Sequence, residues 1–305
     1  MPVHVGAISR RSFLMGGAAA AAGLAMMPAG WGAEVDADSN LFALLSDTHV
    51  PETPEMTARG TNMTANLRQV VKEVLALPTR PSCAMINGDC AYLRGLPADY
   101  ANLAECVAPF VTGGLPLHVT MGNHDDRGPL FAALAHVRPE KPILETKHVT
   151  VLESPHANWF LLDSLTEVDV VTGEIGEEQR TWLAEALAAR QDKPALVMAH
   201  HTPQFTPPEE GKVWGGMRDT KEFFSLLGDY PNVKAFIYGH SHNWEQSRQG
   251  RIHLINLPPV AYVFSDEKPN GWVLARVKEG GIDLELRAIN PMHPRHGQRV
   301  EVTWG

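Results

Sequence analysis

Five short polar clusters hold the side chains of this 305-residue sequence that can do chemistry. They are Asp47-Thr48-His49, Gly88-Asp89, Gly122-Asn123-His124-Asp125, His200-His201 and Gly239-His240-Ser241-His242. Aspartate, histidine and asparagine supply oxygen and imidazole donors, with no obligatory thiolate, a set that suits Zn, Fe, Mn or Co. There are donors enough for two ions, and Asp89, central in the set, is placed to bridge them. Two such ions ~3.5–4 Å apart clamp the attacking and leaving oxygens of an in-line displacement. A water shared by both loses a proton near neutral pH.

Each cluster alone is a weak signal, because Gly and Asp are also turn residues. Their positions strengthen it. Each directly follows an apolar run that reads as a strand: 41–46, 83–87, 117–121, 195–199 and 233–238. Helical spacing occupies 61–77, 98–112, 129–137, 177–190 and 219–227, and 159–163 reads as a further strand. Strands alternating with helices imply βαβ units and a parallel sheet. The carboxyl ends of such strands face one crevice, so clusters far apart in the chain converge there. Segments 252–256, 271–277 and 282–288 read as strands without helices between them. They predict a mixed α/β body whose chain finishes in a second, more antiparallel sheet.

The pattern Asp47-x-His49, Gly88-Asp89, Gly122-Asn123-His124-Asp125, His200 and Gly239-His240-x-His242 resembles the calcineurin-like metallophosphoesterases. The likeness spans about 41–288. The runs from Gly122 to Arg127 and from His200 to Pro203 look closest to the cyclic-nucleotide and glycerophosphodiester phosphodiesterase branch. That resemblance implies a single α/β domain over 34–305, a two-sheet mixed sandwich flanked by helices in α/β/β/α layers. It implies two transition-metal ions, a small phosphate-ester substrate and hydrolysis by in-line attack of a metal-bridging hydroxide. Carried over by position, Asp47, His49, Asp89 and His242 hold one ion, and Asp89, Asn123, His200 and His240 the other. His124 binds a phosphoryl oxygen or protonates the leaving alkoxide, and Asp125 orients it or caps the following helix. His201 stands behind the ligands or faces substrate. Arg218, beside the Pro- and Gly-rich stretch 202–217, is either a phosphate clamp or a surface arginine.

Tyr92 opens an alternative. Gly88-Asp89-x-x-Tyr92 also resembles the purple acid phosphatases, phosphomonoesterases in which a tyrosinate binds ferric iron. His49 and Tyr92 would compete for one coordination position; the reading favours His49, with Tyr92 beside the metals. A non-enzymatic alternative is a metal-free binding scaffold on the same fold.

The net charge of −9 argues against a nucleic-acid surface, which needs a basic stripe. Three cysteines cannot all pair internally, and no disulfide framework is expected. At the start, Ser9-Arg10-Arg11-Ser12-Phe13-Leu14 precedes an Ala/Gly-rich apolar stretch shorter than the ~20 residues a membrane span needs. Residues 1–33 thus resemble a twin-arginine signal. The implied partner is the twin-arginine export machinery, and the implied location of the mature protein, without a membrane span, is periplasmic or extracellular.

Overall fold

A computed structural model describes residues 37–304; the expected leader at 1–33 lies outside the described residues. Its elements run β1 (Ala37–Ser46), a hairpin of β2 (Thr57–Ala58) and β3 (Thr61–Asn62), α1 (Met63–Leu75), β4 (Arg80–Asn87), α2 (Pro97–Thr112), β5 (Leu117–Thr120) and α3 (Arg127–Ala133). Then follow β6 (Thr150–Glu153), β7 (Asn158–Leu161), α4 (Glu177–Ala188), β8 (Ala195–Met198), α5 (Thr220–Asp229) and β9 (Val233–Tyr238). The chain closes with β10 (Glu245–Gln249), β11 (Ile252–Asn256), β12 (Gly271–Lys278), β13 (Gly281–Ala288) and β14 (Arg299–Thr303).

Two six-stranded mixed sheets result, ordered β14-β13-β12-β1-β4-β5 and β10-β11-β9-β8-β7-β6. The two-sheet mixed fold expected from the resemblance is what the chain forms. The expected ending is corrected. β11 lies parallel to β9 in the second sheet, whereas β12 and β13 return to the first, with β12 antiparallel to β1. Apolar alternation marks a strand but does not say which sheet edge receives it.

Because side chains alternate across a strand, β1 serves two cores. Phe42 and Leu44 face the space between the sheets, where they join Met85, Trp159, Leu161 and Met198. Ala43 and Leu45 face the helix side, with Leu67 and Val70 of α1 and Leu103 and Val107 of α2. On the far side of the second sheet, Phe160, Val197 and Phe236 pack with Leu183 of α4 and Phe223 of α5.

The parallel strands end in register. Ser46 sits opposite Asn87, and Asn87 opposite Thr120. The two sheets are then stitched at this edge. The Asn87 amide donates to the Ala199 carbonyl at 3.2 Å, the Val260 N–H to the Ser46 carbonyl at 2.8 Å, and the His240 N–H to the Asp47 carboxylate at 3.1 Å. The five polar clusters therefore meet on a braced edge. Among the described residues, no helix is long and apolar enough to cross a membrane.

Trp159 is fully buried between the sheets, its ring 4.9 Å from that of Phe42. Trp159→Ala is expected to cost about 3–5 kcal/mol, read as a lower midpoint in denaturant unfolding with an unchanged slope.

Candidate metal centre

Three overlapping groups of donors come together where the strands end. Asp47, His49 and His242 form one; His49, Asp89 and His124 the next; Asp89, His200 and His240 the third. Within each group the ligand atoms lie within 4.8 Å of one another. Asp89 is common to the last two, and its Oδ2 stands 3.6 Å from His49 Nε2 and 3.3 Å from His200 Nε2. His242 Nε2 lies 3.3 Å from Asp47 Oδ1.

The imidazoles are held in defined tautomers by carbonyl acceptors. His242 Nδ1–H donates to the Tyr262 carbonyl at 2.6 Å, and His200 Nδ1–H to the Asn87 carbonyl at 2.8 Å, so each turns an Nε2 lone pair inward. His240 is reversed: its Nε2–H donates to the Gly215 carbonyl at 2.8 Å and leaves Nδ1 for the site. Metal-binding histidines are oriented in this way.

The donor set fits cations. Asn123 Oδ1 and His200 Nε2 are buried without any hydrogen-bond partner. His49 Nε2 and His242 Nε2 face each other at 3.0 Å, and because His49 Nδ1 has no partner a proton on His49 Nε2 can join them. A cation would give the buried Asn123 Oδ1 and His200 Nε2 the partner they lack. The electrostatics agree. Burial pushes Asp47 up, but His200 and His242 outweigh it and hold the carboxyl down at about 2. Burial likewise opposes Asp89, whose neighbour His200 keeps it well below the usual range. Burial lowers His49 to about 3, and burial with the adjacent His200 lowers His240 to about 4.

The backbone is bent to aim these groups. Asp47, His49, Asp89, His240 and His242 all have left-handed φ, between 43° and 67°. Such non-glycine residues cost on the order of 1–3 kcal/mol each and persist where the surroundings fix them. Two glycines allow the close approach. A Cβ at Gly122 would overlap the Asp89 carboxylate and backbone nitrogen, and one at Gly239 would overlap Ser46 Oγ and the Asp47 carboxylate.

His124 sits at the rim, its backbone N–H donating to Asp89 Oδ1 at 2.9 Å. Its Nδ1–H donates to the Leu93 carbonyl at 2.7 Å, which leaves Nε2 free. Asp125 does not orient it. The buried Asp125 carboxylate accepts from the N–H groups of Cys90, Ala91 and Gly122 and from the Tyr100 hydroxyl, tying the second cluster to the third. Nor does Asp125 cap α3; Asp126 does, accepting from the Gly128 N–H at 3.0 Å. The carboxylate facing His124 is Asp169, 3.5 Å from Nδ1, with its own N–H on the Asn123 carbonyl at 2.7 Å. Nothing in the sequence singled out Asp169, which arrives on an irregular loop.

Two residues left between alternatives take the following places. His201 is fully buried and does not face substrate; its ring lies 4.8 Å from that of His240, and its Nδ1 pairs with Ser164 Oγ at 2.7 Å. Arg218 is no free phosphate clamp, because its guanidinium is engaged by Glu174 at 2.5 Å. Tyr92 is half-buried beside the site, its N–H on the Val50 carbonyl. Cys83, Cys90 and Cys106 are free, buried thiols.

Residues 41–244 match the calcineurin-like phosphoesterase family. The chain belongs to that family. It is a metallophosphoesterase, a hydrolase of phosphoester bonds. It is 25% identical over 233 residues to a 3′,5′-cyclic-nucleotide phosphodiesterase of Nostoc sp., covering 74% of this chain and 80% of the relative. It is also 25% identical over 243 residues to a glycerophosphodiester phosphodiesterase of Enterobacter lignolyticus, covering 75% and 82%. A dimetal phosphatase from Danio rerio shares the fold, with a TM-score of 0.67 at 15% identity over 88% of this chain and 99% of that one.

Gly122→Ala is expected to displace Asp89 and strip bound metal, read by elemental analysis of purified protein. Retention of full metal content would contradict the role given to that contact. Asp125→Ala strands several buried donors and is expected to lower stability by about 3 kcal/mol or more, read by chemical denaturation.

Proposed function

We propose that this metallophosphoesterase holds two ions and hydrolyses small phosphate esters, phosphodiesters first and phosphomonoesters second. The observation that carries the reading is the sharing of Asp89 between donor groups on both of its sides. Asp47, His49 and His242 would complete one side, and Asn123, His200 and His240 the other. Two ions so held would supply an activated water and neutralise charge on the phosphoryl oxygens.

This chain's residues supply the rest. Asp47 and Asp89 provide the anionic floor, and the carbonyls of Tyr262, Asn87 and Gly215 fix which imidazole nitrogens face inward. His124 presents Nε2 at the rim, where it can donate a proton to the departing alkoxide. General acid catalysis of this kind contributes typically 10²–10⁴-fold. The names of the similar proteins support a diester substrate of the cyclic-nucleotide or glycerol type. The placement of His49 Nε2 among the donors favours it over Tyr92 as ligand, and with it a colourless or pale protein rather than a purple one. We further propose export in folded form, on the strength of the paired arginines Arg10-Arg11 ahead of an apolar stretch.

The test is hydrolysis of bis(p-nitrophenyl) phosphate by protein loaded with Mn, Zn, Co or Fe, together with metal counting. Two equivalents per chain and turnover are expected, with both Asp89→Asn and His240→Ala losing at least 10²-fold in kcat. Absence of bound metal with no turnover at any loading would sink the reading in favour of a binding scaffold. Acid should release the metal, since imidazoles must be neutral to ligate; a pH titration of bound metal reads this directly.

A further inference from the structure

Beside the His49 and His242 face of the metal centre stands a group of side chains that metal binding does not use. The Phe264 ring is 56% exposed, unusual for so large an apolar side chain. It stacks on the His242 ring at 4.6 Å and 25°. Tyr262 stacks on His49 at 5.2 Å and 22°, and its ring lies 6.1 Å from that of Phe264. The Arg59 guanidinium lies 4.8 Å from the Phe264 centroid and 5.9 Å from that of Tyr262.

The placement is built rather than incidental. Arg59 and Gly60 form the two-residue turn of the β2–β3 hairpin, with φ of 51° and 76°. Such a turn favours Asn-Gly, and an arginine at its first position is disfavoured by the left-handed backbone. Turn chemistry therefore does not account for this residue, whereas its reach over the aromatic pair does. Among the described residues no carboxylate pairs with its guanidinium. The aromatic segment is equally fixed. Asn66 donates to the Val260 and Ala261 carbonyls at 2.9 and 3.0 Å, and Ala261 N–H donates to the Asp47 carbonyl at 3.0 Å.

We propose that Phe264, Tyr262 and Arg59 form a nucleoside subsite that takes the planar base of a nucleoside phosphodiester. The proposal rests on the phosphodiesterase reading and narrows it. A diester anchored at the metals would extend its alcohol portion to the rim, where a glycerol group could hydrogen-bond to Arg59 or the Tyr262 hydroxyl but would gain no stacking from the aromatic rings. With His242 stacked on the Phe264 ring and the exposed Arg59 guanidinium over it, a base would stack on the arginine plane that Phe264 backs, or take its place over the ring, and stacking of this kind is worth about 1–3 kcal/mol per base. Arg59 adds positive charge beside an anionic substrate and can stack on an aromatic face.

The experiment uses the metal-loaded protein and two readouts. Calorimetry measures binding of the hydrolysis-resistant Rp-phosphorothioate of 3′,5′-cyclic AMP, and kinetics give the ratio of kcat/KM for cyclic AMP over glycerophosphocholine. Phe264→Ala is expected to weaken analogue binding about 10-fold and to lower the ratio by a similar factor. Phe264→Trp should restore both, and Arg59→Gln should weaken binding about 5-fold. Because Phe264 is largely exposed, an unchanged melting temperature checks that the variants fold. Equal losses on both substrates, or analogue binding indifferent to Phe264, would overturn the subsite and leave the phosphodiesterase reading intact. Binding that depends on Phe264 in a protein that hydrolyses no diester would uphold the subsite and overturn that reading.

Discussion

Two carboxylates, Asp47 and Asp89, are buried almost completely within one constellation of imidazoles, and the rest of the structure is arranged around that fact. An isolated buried carboxylate is strongly disfavoured unless a partner compensates its charge. Protein donors compensate part of it. Asp47 accepts from Ser46 Oγ at 2.5 Å and from the His240 N–H, and Asp89 accepts from the His124 N–H. The remaining demand calls for positive charge, which bound cations would supply. Burial pushes His200 down, yet Asp89 and Asp47 outweigh it and raise it to about 10. The same carboxylates favour positive charge at this point of the site.

The architecture answers this demand with geometry. Parallel strands bring their last residues to one edge, but a strand end by itself points its side chains up and down the sheet. The left-handed residues turn Asp47, His49, Asp89, His240 and His242 toward a common centre. Aspartate and histidine are among the few side chains that enter this region at moderate cost, so ligand chemistry and backbone tolerance select the same residue types. Asp125, raised to about 6 by burial and then by Asp89 nearby, braces the turn below with its accepted N–H bonds. A carboxylate that first reads as part of the reaction is instead part of the frame.

How much of this was legible follows from where each residue lies. The ligands fall in pairs and triplets directly after apolar runs, because a strand end can offer only adjacent positions. Their types, order and strand context could therefore be read together. The first sheet's parallel strands and the helices α1 and α2 were legible from periodicity for the same reason. Asp169, Arg59 and Phe264 were not, since each sits on a turn or loop with no period to mark it. Phe264 in particular reads as one more apolar residue until its exposure and its stacking on His242 are seen. The return of β12 and β13 to the first sheet was hidden by a different limit: Ala275 and Val277 face the inter-sheet core, and alternation alone would have satisfied either sheet.

The two flanks of the site differ in kind. On one, the segments around 166–173 and 202–217 are laced together: Thr172 Oγ1 donates to the Trp214 carbonyl at 2.8 Å and the Gly173 N–H to the Gly216 carbonyl at 3.1 Å. Gly215 of the same lacing receives His240, so any shift of this flank moves a ligand with it. On the other flank the tie to the ligands runs through the backbone of Tyr262, whose carbonyl holds His242, while the rings of Tyr262 and Phe264 only stack. Stacked rings can change partners without disturbing coordination, but a carbonyl bound to a ligand cannot. Variation in what the enzyme accepts is therefore tolerated at the aromatic rim and constrained at the laced loops. A chain that folds around buried carboxylates and strained ligand turns recovers part of that cost when ions bind.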